Sequence, residues 1–166
     1  LDTISMPEFL TENQALSDMK KYPILCGRCD RGAIERIFPN KQIIMMDNKE
    51  AELAKYAHNC FGAMKVTYFN IMNKMCDLMG IDYDQMLRGA MITGFIEPMH
   101  TKIAKDGKQG YGGKCFPENI DSMIGYLKSS GMFELGFFEE IRDLNFMYRN
   151  NADAYIYSDS RIEKSL

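Results

Sequence analysis

Between Asp47 and Gly80, apolar side chains recur every three or four positions, at Leu53, Ala57, Cys60/Phe61, Met64, Tyr68, Ile71, Met75 and Leu78. That spacing lines them along one face of an α-helix. Asp47 with Glu50 three residues later has the form of a capping box, and Gly80 supplies a stop. The pattern predicts one long amphipathic helix. At a rise of about 1.5 Å per residue it runs roughly 45 Å, more than the width of a small globule, so part of its stripe should find a partner outside its own fold. A homodimer formed through this helix is the expectation. Shorter helices are predicted at residues 82–90, 117–129 and 134–150, with an irregular, glycine-rich stretch over 93–114.

Ahead of the long helix the pattern is short and mixed. The runs at 23–26 and 42–46 read as brief, largely buried strands bounded by Pro, Gly and Asn. Residues 11–20 suit a short helix with Thr11 as N-cap, and 31–38 leave room for at most two helical turns. The fold class expected is mainly α, a long central helix with packed helices, preceded by the tail of an α/β domain whose earlier strands are absent. The implied organisation is residues 1–47 as that tail, 48–150 as the helical domain and 151–166 as a polar tail or linker. Because the chain begins at Leu1, already in what reads as a loop after a strand, it is expected to be a piece of a longer protein.

Composition narrows the function. With 166 residues, 46% hydrophobic and 26% charged, the chain can build a core and is of soluble globular type. No apolar run outlasts Ile43-Ile44-Met45-Met46, far short of the roughly 20 residues that a membrane span requires. Twenty Lys+Arg against 23 Asp+Glu leave a net charge of -3 and no basic field for nucleic acid. An odd count of five cysteines without a signal peptide argues for a reducing, cytoplasmic setting and against a disulfide framework.

Three segments could carry chemistry. In Gly110-Tyr111-Gly112-Gly113-Lys114-Cys115-Phe116-Pro117, three glycines let a ligand approach the main chain, and Pro117 suits the first turn of the following helix. Cys115 is thereby expected just ahead of a helix N-terminus, where unpaired N–H groups and Lys114 favour a thiolate nucleophile. Lys55 and Asn59, four residues apart on the long helix, can aim an ammonium and an amide at one oxyanion. Glu8, after a proline in a loop, is a plausible mount for a base. Each also has a plain reading, as a turn, a solvated face or a helix start. Cys26-Gly27-Arg28-Cys29 has C-x-x-C spacing without a second pair for a closed zinc site and reads as a strand end. His58, about 100° round the helix from Asn59, reads as a surface or packed histidine.

Taken in order, Pro7-Glu8-Phe9-Leu10-Thr11-Glu12, Glu50-Ala51-Glu52-Leu53-Ala54-Lys55-Tyr56-Ala57-His58-Asn59 and the 110–117 segment resemble the UDP-glucose/GDP-mannose dehydrogenase family. The resemblance covers nearly the whole chain, from the end of the family's N-terminal NAD-binding domain through its helical, dimer-forming central domain. It implies four-electron oxidation of a sugar C6 alcohol to a carboxylate, UDP-glucose to UDP-glucuronate, in two hydride transfers to NAD through a thiohemiacetal and a thioester. Cys115 falls on the nucleophile, Lys55 and Asn59 on the residues that hold the reacting oxygen, and Glu8 on the glutamate of thioester hydrolysis. Phe9, Leu10 and Glu12 fall in the substrate loop, and Gly110, Tyr111, Gly112 and Gly113 would line the sugar nucleotide.

The chain departs from the family at three places. The family's Lys-Asp after Phe-Pro is Glu118-Asn119 here, so a carboxylate becomes an amide that cannot take a proton. Its Asp-Pro-Arg-Ile-Gly run is Glu97-Pro98-Met99-His100-Thr101, and neither His100 nor Lys102 reproduces the arginine's bidentate fork. No G-x-G-x-x-G follows a strand, so NAD is expected to bind mostly outside this polypeptide. A GDP-mannose or UDP-N-acetylsugar 6-dehydrogenase and a non-catalytic helical dimerisation module are the alternatives.

Overall fold

The computed structural model describes residues 4–11 and 14–150. The elements run α1 (Ala15–Lys21), β1 (Ile24–Cys26), α2 (Arg31–Ile37), β2 (Ile43–Met45), α3 (Asn48–Met79), α4 (Tyr83–Ala90), α5 (Cys115–Ser129) and α6 (Leu135–Arg149). The chain is thus mainly helical, with a small α/β portion first. The expected polar tail at 151–166 lies outside the described residues. Contacts divide the chain into two compact units that meet in sequence between Asn59 and Cys60, within α3.

In the first unit, β1 and β2 pair in parallel, Leu25 opposite Ile44, and α2 makes the crossover between them. Asp30 starts α2 by accepting the Gly32 N–H at 2.9 Å. Cys26, Ile34 and Ile43 form the buried core, with Phe38 and Met45 packed on it. One expectation fails here. Thr11 does not cap α1, which begins four residues later at Ala15, behind Gln14 and without a side-chain cap. Instead the buried Asp18, inside the helix, accepts the Thr11 N–H at 2.8 Å, so the carboxylate ties down the preceding loop.

The capping box at the head of α3 forms: Glu50 accepts the Asp47 N–H at 2.7 Å and Asp47 accepts the Lys49 N–H at 3.0 Å. At the far end Gly80 takes φ 66° and the Ile81 N–H returns to the Cys76 carbonyl, closing the 32-residue helix. In the second unit α5 packs on α6, and Cys60 and Ala63 of α3 meet Ile120 and Ile124 of α5, Ile141 of α6 and Tyr111 in one core. The inward face of α3 differs from the expected stripe. Its buried positions include Cys60, Gly62, Ala63, Thr67, Phe69, Asn70 and Cys76, while Phe61, Tyr68, Met75 and Leu78 are exposed. At Gly62 a small residue is required because α5 comes close: a Cβ there would lie 2.5 Å from the Phe116 ring.

The loop over 91–114 is pinned by hydrogen bonds rather than by regular structure. Tyr83 donates its hydroxyl to the Thr101 carbonyl at 2.6 Å, Lys65 donates to the Glu97 carbonyl at 2.7 Å, and Thr101 is buried.

Candidate active site

In the first unit, Pro7 and Glu8 bring a carboxylate to α3. Glu8 Oε1 meets Lys55 Nζ at 2.6 Å, and the same ammonium donates to the Glu8 carbonyl. The Lys55 ammonium also lies 5.8 Å from the centroid of the Phe9 ring, and Phe9 meets His58 edge to face at 5.1 Å. His58 Nδ1 is 3.0 Å from Asn59 Oδ1, and Asn59 is buried. Lys55, His58 and Asn59 therefore share the helix segment on which the Glu8 loop rests. Phe9 and Leu10 line an apolar cleft of about 180 Å³ with Met6, Met19, Ile24 and Phe38. Glu12 lies outside the described residues.

Burial alone would raise the Glu8 pKa, but hydrogen bonds from Lys55 and from the Leu10 N–H, with the Lys55 charge, outweigh it and hold the carboxyl below the ordinary glutamate value. A carboxylate whose folded pKa is depressed contributes stability above its unfolded pKa and loses it as pH falls through the folded value. The contribution is small, because the Glu8 side chain is half exposed and solvent screens the pair. Carbon-detected NMR titration should find Glu8 ionising below an ordinary glutamate, and Lys55→Met should move it upward. An unshifted Glu8, or one indifferent to Lys55→Met, would remove the pair as a functional element.

In the second unit, α5 starts two residues before the expected 117, so that Cys115 is its first residue rather than ahead of it, and Pro117 sits within the first turn. Its thiol is exposed, whereas Cys26, Cys60 and Cys76 are buried. The glycine-rich turn before it is clamped from two helices. Asn70 of α3 accepts the Gly110 N–H at 3.1 Å. Asn145 of α6 accepts the Tyr111 N–H at 2.6 Å and donates to the Tyr111 carbonyl at 3.1 Å. Tyr111 itself is turned into the core, where burial raises its phenol's pKa. Its ring and its backbone are both engaged internally, and Gly113, exposed with open space where a Cβ would stand, is the uncovered position of the turn. Arg149 and Asp106, paired at 2.7 Å, close over Gly112, and the guanidinium holds the Asp106 carboxyl below its ordinary range. Phe116 packs between His100, at 5.2 Å, and Tyr111, at 6.2 Å. The Asn119 carbonyl accepts the Cys60 thiol at 3.7 Å.

Residues 49–146, more than half of the chain, match the central domain of the UDP-glucose/GDP-mannose dehydrogenase family. The chain belongs to this family. The UDP-glucose 6-dehydrogenase of Pseudomonas aeruginosa is 31% identical over 136 residues, which cover 76% of this chain and 29% of that protein. That of Gallus gallus is 25% identical over 158 residues, covering 87% and 31%. A solved UDP-glucose dehydrogenase from Pyrobaculum islandicum superposes with a TM-score of 0.73 at 28% identity, covering 86% of this chain and 33% of that one. This member of the dehydrogenase family therefore spans about a third of the length of the relatives it matches.

Within the family's central domain, sequence reasoning singled out the glycine turn and the cysteine but missed what holds them, namely Asn70, Asn145 and the Arg149–Asp106 pair. A signal was present. Asn145 falls four residues after Ile141, on the helix face that packs inward, and an amide there needs backbone partners.

Proposed function

We propose that this chain is the substrate-holding, thiol-bearing part of an NAD-dependent oxidoreductase that converts UDP-glucose to UDP-glucuronate. Beyond family membership, one observation supports it above the others: Glu8 and Lys55, 47 positions apart, are paired at 2.6 Å. These are two of the residues on which the family's chemistry would fall. The Cys115 thiolate adds to the C6 carbonyl carbon, and charge develops on the carbonyl oxygen. The Lys55 ammonium and the Asn59 amide, one helical turn apart, are the donors for that oxygen. Glu8, ionised at neutral pH, takes the proton of the water that hydrolyses the thioester. The Asn119 amide cannot exchange a proton, so this task rests on Glu8. Phe9, Leu10, Glu12 and Gly113 contact the sugar nucleotide.

The residues present do not fit the dinucleotide. β1 leads into α2 through Gly27-Arg28-Cys29-Asp30 and β2 into α3 through Met46-Asp47, and neither connection carries the G-x-G-x-x-G turn that cradles a pyrophosphate. In this proposal residues 48–150 are the central domain, 1–47 the end of the NAD-binding domain and 151–166 a linker. The five free cysteines support a cytoplasmic setting.

The proposal is tested by brief iodoacetamide treatment near neutral pH, with each cysteine read by mass spectrometry. Cys115 should label first: Cys60 is buried with its thiol pushed up to about 11, and Cys26 likewise. UDP-glucose should slow the labelling of Cys115 at least several-fold. Protection by GDP-mannose or a UDP-N-acetylsugar alone would change the substrate, and no protection by any of them would favour a non-catalytic helical module.

We further propose a homodimer through α3. Phe61, Met64, Tyr68, Ile71, Met75 and Leu78 alternate at spacings of three and four, the seam of a pair of helices, and four of the six are exposed. Sedimentation should give a dimer, and Tyr68→Glu a monomer with unchanged helix content. A monomeric unsubstituted chain would overturn it.

A further inference from the structure

The C-x-x-C segment that follows β1 carries more than its spacing suggested. Cys26 Sγ and Cys29 Sγ lie 3.2 Å apart, so that either thiol can donate to the other. A disulfide bond of about 2.05 Å requires them to close by little more than 1 Å. The turn that presents them is anchored on both sides. The Gly27 N–H donates to the Ser5 carbonyl at 2.7 Å, and Asp30 holds the Gly32 N–H at 2.9 Å. Proximity is thus a property of the folded turn.

The two sulfurs differ in access. Cys26 is wholly buried in the core with Ile34 and Ile43, whereas Cys29 is half-buried at its edge. Burial, followed by the neighbouring Cys29 sulfur, pushes the Cys26 thiol up to about 11. A reagent from solution therefore meets Cys29 first. Two sulfurs are too few ligands for a structural metal, and no group of three or more His, Cys, Asp or Glu side chains is arranged for one among the described residues.

We propose that Cys26 and Cys29 form a redox site, oxidised reversibly to an intrachain disulfide by a small-molecule disulfide of the glutathione type. The Cys29 thiolate attacks one sulfur of the small disulfide, forming a mixed disulfide and releasing one small thiolate. The Cys26 sulfur, giving up its proton to solvent, then attacks Cys29 Sγ and expels the second. Two cysteine thiols and one small disulfide become one cystine and two small thiols, so the protein loses two electrons and two protons, and the small disulfide gains them. Neither sulfur takes part in the chemistry proposed for Cys115, and the site stands independently of it.

The test equilibrates the full chain in mixtures of reduced and oxidised glutathione, quenches with acid, unfolds it in urea with N-ethylmaleimide and maps the peptides by mass. At oxidising ratios the peptide spanning Cys26 and Cys29 should lose two hydrogens and take no label, and dithiothreitol should restore two labels. Cys26→Ser should leave a lasting glutathione adduct on Cys29, and Cys29→Ser should leave Cys26 unmodified at the same ratios. Two labels at every ratio in the unsubstituted chain, or a glutathione adduct persisting on its Cys29, would overturn the proposal. The unsubstituted chain decides the question whichever variants fold.

Discussion

Asn145→Ala is expected to destabilise the second unit by about 2–4 kcal/mol, because it leaves two buried backbone groups without partners, each worth roughly 1–3 kcal/mol. In the folded chain both hydrogen-bonding groups of Tyr111 are spent on this one amide, and Tyr111 is almost fully buried. Water therefore cannot replace the lost bonds without opening the core. Urea denaturation should show a lower midpoint at unchanged slope. Asn145→Asp is the sharper variant. An ionised carboxylate still accepts the Tyr111 N–H but sets an oxygen against the Tyr111 carbonyl, so it should rescue little at neutral pH. Protonation restores a donor, so the deficit should narrow as the pH is lowered through the pKa of the introduced carboxyl. A midpoint within error of the unsubstituted chain for both variants would mean that the turn is not held by this clamp.

The same clamp explains how the candidate site is organised. A glycine-rich segment has the most conformational freedom to lose on folding, and here the loss is met by bonds from two helices and by the Arg149–Asp106 pair. The exposed thiol at the start of α5 follows directly on that fixed turn. Placement of the thiol proposed as the nucleophile thus depends on Asn70 and Asn145, which in that proposal are positioning residues.

The extent to which this was legible differs by element. Helices with strong local punctuation were plain: Asp47 with Glu50, Asp82 ahead of α4 and Gly80 after α3 all act as their residue types predict. The orientation of α3 was not. Periodicity picked Cys60 correctly but also Phe61, Tyr68, Met75 and Leu78, whereas packing buries Ala63, Thr67, Phe69 and Asn70, two of them polar residues that bond the helix carbonyls. Thr11 was read as a cap because capping is local, but Asp18 competed from within the helix and won. The pairing of Glu8 with Lys55 required tertiary structure, as did the approach of Cys26 to Cys29.

Gly110→Ala should cost still more than Asn145→Ala, about 3–6 kcal/mol in total, of which roughly 1–2 kcal/mol is the penalty for a left-handed non-glycine backbone. Gly110 has φ 76°, and a Cβ built there would lie 2.4 Å from Asn145 Oδ1, with Tyr148 Cβ at 3.2 Å. No rotamer of alanine relieves that approach, so the amide must move and release Tyr111. The greater part of the cost is therefore the broken clamp, already counted in Asn145→Ala. A double-mutant cycle separates the parts. In an Asn145→Ala background the nearest clash is gone, and Gly110→Ala should cost chiefly the backbone penalty of roughly 1–2 kcal/mol, with the tight Tyr148 Cβ contact remaining. Strictly additive losses would show that the two positions act separately, and that the left-handed turn is held by something other than the α6 amide.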